Sequence, residues 1–121
     1  PYAYRLAQQA LEGVREGRPD TSFSMVLVRL TDLPPGLTFA DKARISAEAG
    51  LLFRQTVRVL DSVGELDPQT FLLVLPNTDA NGVAAVLGRL ERRLANAAVY
   101  YGDGRSYALR YRCCQQTIAK D

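Results

Sequence analysis

The chain has 121 residues, with 15 Lys or Arg against 13 Asp or Glu and 47% hydrophobic residues, the composition of one ordinary globular domain able to bury its own core. It contains no His and no Trp, which excludes imidazole general-base catalysis, histidine proton relays and histidine zinc ligation. A net charge of +2 is too small for a phosphate-tracking surface, so no nucleic-acid partner is expected, and apolar runs such as Phe71–Leu75 are far shorter than the ~20 residues of a spanning helix, so the domain is not expected to enter a membrane itself.

Tyr2 to about Glu16 places Tyr4, Leu6, Ala10, Leu11 and Val14 near one helical face, and Gly17 with Pro19 ends that segment. Ser22–Leu30 is β-rich and apolar on both faces in its middle, which predicts a central strand covered by helices and stopped by Pro34-Pro35-Gly36. Thr38 and Asp41 form a capping box with Asp in place of the usual Glu or Gln, and Phe39, Ile45, Ala49, Leu52, Phe53 and Val57 continue at helical spacing. Val63–Leu66 and Gln69–Leu75 flank Asp67-Pro68 and predict a hairpin closed by Pro76. Asn77-Thr78-Asp79 offers N-caps for a second amphipathic helix carrying Val83, Val86, Leu87, Leu90 and Leu94. Val99–Tyr101 and Tyr107–Thr117, around Gly102-Asp103-Gly104-Arg105, predict a second hairpin.

This order predicts an α/β domain over 1–121 with a mixed central sheet flanked by helices. The first residue is Pro1 and no signal segment follows, which predicts a piece of a longer protein. Cys113 and Cys114 are adjacent, and a bond between them would distort the peptide, so reduced thiols in a cytoplasmic domain are expected. P-loop, dinucleotide-binding and nucleophile-elbow signatures are all absent from the sequence.

Arg58-Val59-Leu60-Asp61, then Phe71-Leu72-Leu73-Val74-Leu75-Pro76-Asn77-Thr78 and the helix after it, resemble the GGDEF family of diguanylate cyclases. In that family an RxxD motif forms the inhibitory site for the product, with its Asp ten residues before the Phe that closes the signature, the separation of Asp61 from Phe71. The resemblance implies a GGDEF-like fold. It also implies that the signature has degenerated, because Asp67-Pro68-Gln69-Thr70 stands where two glycines and two acidic residues would hold nucleotide and Mg²⁺. Arg29 falls where the first strand would carry a metal-binding Asp, with Asp32 three residues on. No metal, no cofactor and no cyclase activity are therefore expected.

The RxxD pair is intact. An Arg guanidinium can donate two hydrogen bonds to guanine O6 and N7 or lie over the base, and a carboxylate can accept from guanine N1–H and N2–H₂. In the family an Arg from the helix after the signature completes the site. Arg89 and Arg93 share one face of that helix, and both are retained as candidates. The resemblance thus implies a receptor that binds cyclic di-GMP through Arg58, Asp61, Arg89 and Arg93 without making it. Within that class the resemblance is to the receptor of Pel-type exopolysaccharide secretion, which implies the C-terminal part of a longer multidomain, cytoplasmic, inner-membrane-anchored bacterial protein in which the domain follows a GAF domain. A GAF-like domain and other secretion-system proteins are the expected partners. On spacing alone, Arg58 and Asp61 would be a surface ion pair at a helix end, worth under ~1 kcal/mol; their register with Phe71 is what points to a ligand. A residual nucleotide cyclase and a pure protein-interaction module are the alternatives.

Overall fold

The computed structural model describes residues 22–119. The helix expected over Tyr2–Glu16 lies outside the described residues. The elements are β1 (Ser22–Leu30), α1 (Phe39–Thr56), β2 (Ser62–Asp67), β3 (Thr70–Pro76), α2 (Ala80–Leu94), β4 (Ala98–Tyr101), β5 (Arg105–Ala108) and β6 (Tyr111–Ala119).

β1 is the interior strand expected, in a four-stranded sheet of order β2-β3-β1-β6, while on its other face Leu27 is 42% exposed. Its register sets Val26 opposite Leu73 and Val28 opposite Phe71, so these side chains share one face. Both described helices pack on that face. Ile45, Ala49 and Phe53 of α1 and Val83, Val86, Leu90 and Leu94 of α2 close over Val26, Val28, Leu30, Leu73 and Leu75 to make the main core. Phe53 anchors it by meeting the rings of Phe71 and Tyr111 edge-on at 5.3 and 5.6 Å.

The α/β class holds, and the strand directions refine it. Every described ladder of this sheet is antiparallel, where a mixed sheet was expected. The tight β2–β3 turn explains the pattern: it reverses the chain so that β3, rather than β2, lies beside β1, and β6 returns on the other side of β1 in the same sense as β3.

Local signals set the helix starts. Asp41 N–H donates to Thr38 Oγ1 at 3.0 Å and Thr38 N–H donates to Asp41 Oδ2 at 3.2 Å, the reciprocal box expected. Among the three N-cap candidates before α2, Asp79 takes the role, accepting from Gly82 N–H at 2.9 Å.

The last expected hairpin is corrected. β4 pairs only with β5, through a turn in which Gly102 and Gly104 have φ of 56° and 80°, while β6 leaves to join β1 in the larger sheet. The chain changes sheets at Leu109-Arg110, where Leu109 N–H donates to Ala97 O at 3.0 Å and Thr31 N–H donates to Arg110 O at 2.8 Å. Buried Tyr107 fixes the corner, its hydroxyl lying within hydrogen-bond distance of both Thr31 O and Arg110 O. Cys113 and Cys114 are free thiols, and burial pushes that of Cys113 up from its ordinary value.

Candidate functional site

α1 ends where Val57 turns to extended backbone while its N–H still donates to Phe53 O at 3.1 Å. The next four residues, Arg58 to Asp61, make a turn closed by Asp61 N–H donating to Arg58 O at 3.0 Å. Asp61 braces it from within, because Oδ2 accepts from the Arg58 backbone N–H at 2.8 Å. The same carboxylate takes the Arg58 guanidinium: Nε donates to Oδ2 at 2.9 Å and Oδ1 at 3.1 Å, and Nη2 donates to Oδ1 at 2.8 Å.

The Asp61 side chain is fully buried and that of Arg58 is 40% exposed. A carboxylate removed from water needs such a partner. The hydrogen bond to Asp61 in turn holds the Arg58 proton more firmly than in a free guanidinium, against the opposing effect of partial burial. The pair therefore exists, and its acidic member is interior rather than on the surface. The tip of the turn is apolar and open, with Val59 94% and Leu60 79% exposed.

Two further residues hold this turn. Arg54, one helical turn before Arg58, donates Nη1 to Asp61 O and Nη2 to Arg58 O, clamping the turn by its carbonyls. Thr78, between β3 and α2, accepts from Arg58 Nη2, which also reaches Pro76 O at 3.4 Å. Sequence reasoning missed both as site residues. A basic residue in the last turn of a helix, near its free carbonyls, was the available signal for Arg54. Thr78 carried only an N-cap signal, and its role depends on a fold that brings residues 58 and 78 together.

Arg89 is half-buried and donates Nη1 to Thr56 O at 3.3 Å, which sets it beside the end of α1, two residues before Arg58. Arg93 is exposed one turn further along α2, apart from these contacts. The fold thus joins Arg58 and Asp61 directly, brings Arg89 to the adjoining helix end, and leaves Arg93 on the open surface.

The β2–β3 turn lies elsewhere. Asp67 Oδ1 accepts from Gln69 N–H at 2.9 Å, and Gln69 Nε2 donates to Leu30 O at 2.7 Å, so Gln69 ties the hairpin tip to the end of β1. Arg29 sits opposite Thr70 in the β1–β3 register and opposite Arg112 in the β1–β6 register. Among the described residues no three Asp, Glu, Cys or His side chains converge as a metal site would require. A hollow of about 180 Å³ beside the turn is walled by Leu33, Leu37, Ile45 and Pro68, with Lys42, Asp67 and Gln69 at its polar parts. Among the described residues that wall it, Asp67 is the one carboxylate, a donor set that does not fit a Mg²⁺-nucleotide.

No family model and no curated protein matches the chain. Solved structures do. The GGDEF domain of FimX from Pseudomonas aeruginosa superimposes with a TM-score of 0.83 at 12% identity, over 97% of this chain and 74% of that one. The GGDEF domain of YfiN (TpbB), also from Pseudomonas aeruginosa, gives 0.77 at 16% identity over 98% and 71% of the two chains. The GGDEF domain of DgcB from Caulobacter crescentus, in complex with c-di-GMP, gives 0.68 at 12% identity over 93% and 67%. At such identities the likeness is one of fold, and the chain has the GGDEF-like fold, that of diguanylate cyclase domains.

Proposed function

We propose that the domain is a catalytically inactive GGDEF domain that serves as a cyclic di-GMP receptor of the PelD type, regulating the production or export of a Pel-type exopolysaccharide. The observation that carries this reading is the Arg58–Asp61 turn, formed in full with Arg89 beside it, in a chain whose hairpin tip holds Asp67-Pro68-Gln69-Thr70. Pro68 lacks an N–H and adds bulk where paired glycines would admit nucleotide, and Gln69, a neutral amide tied through Nε2 to Leu30 O, stands where an acidic residue would hold a metal.

The chemistry of recognition is an exchange. Guanine N1–H and N2–H₂ replace the Arg58 N–H groups on the Asp61 carboxylate, and the released guanidinium turns to guanine O6 and N7. Hydrogen bonds to Asp61 are conserved across the exchange, so the buried carboxylate is never left bare. Arg89, with Arg93 further out, supplies cationic donors for the two phosphates.

No described helix is long and apolar enough to cross a membrane. In this reading the domain lies on the cytoplasmic side of an inner-membrane-anchored protein, next to a GAF-like domain, and ligand binding shifts how the domains are arranged for other secretion-system proteins. Isothermal titration with cyclic di-GMP tests the reading: wild type binds in the micromolar range or tighter, and Arg58→Ala and Asp61→Ala do not. Absence of wild-type binding at high ligand overturns it. Incubation with GTP and Mg²⁺ is expected to yield no cyclic dinucleotide, and product formation would refute the inactive assignment.

A further inference from the structure

We infer that Thr78 is a positioning residue that holds Arg58 on Asp61 in the unliganded domain, so that its hydroxyl opposes ligand binding. The inference rests on the receptor reading for its ligand.

A threonine hydroxyl has one hydrogen and two lone pairs. Thr78 Oγ1 gives its hydrogen to Pro76 O at 2.8 Å, which leaves a lone pair for Arg58 Nη2. Thr78 is itself fixed. It is 2% exposed, its carbonyl accepts from the buried Ser24 Oγ at 2.7 Å, and its methyl lies so near Gly82 that a Cβ there would stand 2.7 Å from Thr78 Cγ2. The acceptor presented to Arg58 is therefore rigid.

The count of N–H groups gives the sign. Of the five on the guanidinium, the single Nε–H is shared between both Asp61 oxygens, and Nη2 serves Asp61 Oδ1, Thr78 and, more weakly, Pro76 O. A guanine edge can occupy Asp61 only when Arg58 leaves it, and Arg58 then leaves Thr78 as well. Asp61 regains partners from the base, whereas Thr78 regains none. The Asp61 contribution cancels across the exchange and the Thr78 bond is lost outright. Apparent affinity is lowered by the fraction of molecules in which Arg58 is released, so weakening the hold on Arg58 raises it.

Thr78→Val keeps shape and methyl while removing the hydroxyl; Thr78→Ser keeps the hydroxyl. Titrated with cyclic di-GMP, Thr78→Val is expected to bind roughly three- to tenfold more tightly than wild type, with Thr78→Ser close to wild type. Without ligand, hydrogen exchange of the Arg58 Nε–H, followed by NMR, is expected to quicken severalfold in Thr78→Val and stay slow in Thr78→Ser. Unchanged or weaker binding by folded Thr78→Val, with Arg58→Ala still abolishing binding, overturns the inference and leaves the receptor reading intact. If wild type does not bind at all, the receptor reading fails, and the claim that Thr78 opposes a ligand falls with it. Exchange then decides the remaining claim: equal rates in wild type and Thr78→Val overturn the hold on Arg58, and faster exchange in Thr78→Val supports it.

Discussion

Arg58 Nε stands 2.9 and 3.1 Å from the two carboxylate oxygens of Asp61 and Nη2 stands 2.8 Å from one of them, on a carboxylate that solvent does not reach. The partners are unequal in what each loses if the other is removed. Arg58, part exposed, can turn to water, whereas Asp61 cannot. Arg58→Ala should therefore cost about 2–3 kcal/mol of stability, by leaving a buried charge with little more than the Arg58 backbone N–H. Asp61→Asn, which keeps one acceptor for that N–H, should cost about 1 kcal/mol. Urea denaturation of the single variants and of the double variant checks this. The double variant should lose less than the two singles together, and a larger loss for Asp61→Asn than for Arg58→Ala would contradict the picture.

The two candidate arginines of α2, Arg89 and Arg93, separate by position. Arg89 is fixed at Thr56 O, beside the RxxD turn, and Arg93 is exposed one turn away. A donor already held at the site loses little freedom when it meets a phosphate, whereas an exposed arginine must be ordered first. Arg89→Ala is expected to weaken cyclic di-GMP binding by about tenfold or more, and Arg93→Ala by less. Calorimetric titration of both variants decides it, and the reverse order would move the site toward the end of α2.

Much of this was legible because it is local. The capping box at Thr38 and Asp41, the Asp67-Pro68 turn and the 3.6-residue stripe of α2 each lie within a short window, and each forms where the residues indicate. The pairing of Arg58 with Asp61 was equally readable at i, i+3. The burial of Asp61 was not, since it follows from the turn being clamped by Arg54 and overlain by the Pro76–Thr78 loop. The sheet change at Leu109-Arg110 escaped for a similar reason. No Gly or Pro marks it, and the corner is set by the hydroxyl of Tyr107 reaching Thr31, 76 residues away in sequence. The choice between Arg89 and Arg93 needed the position of Thr56 O, which helical periodicity does not supply.

Acid should expose the contribution of the α1 cap. The Asp41 carboxyl is held below its ordinary value of 3.8 chiefly by the Thr38 backbone N–H, then by the Thr38 hydroxyl and by Arg105, whose Nη2 lies 3.2 Å away. A carboxyl with a depressed folded value contributes stability that is present above 3.8 and is lost as pH falls through the lower folded value. Asp41→Asn is expected to melt below wild type at pH 7, with the gap closing as pH drops below about 4. Thermal unfolding at a series of pH values tests it; a gap independent of pH would mean that the loss in Asp41→Asn comes from packing alone.

Two glycines of α2 should respond to alanine with opposite sign. In a helix interior Ala is favoured over Gly by about 0.8–1 kcal/mol. At Gly88 a Cβ would meet only Arg92 Nη1 at 3.2 Å, the far end of a flexible side chain that can move aside, so Gly88→Ala should stabilise by most of that amount. At Gly82 the same atom would stand 2.7 Å from Thr78 Cγ2, and Thr78 is buried, bonded to Ser24 through its carbonyl and bonded to Arg58 through its hydroxyl. Overpacking of this kind costs about 1–3 kcal/mol, which outweighs the propensity gain, so Gly82→Ala should be destabilising overall. Because the strain falls on Thr78, Gly82→Ala should also quicken hydrogen exchange at the Arg58 Nε–H, an effect that Gly88→Ala lacks. Chemical denaturation gives the two signs and NMR gives the exchange rates; stabilisation by both substitutions would show that Thr78 has room to yield.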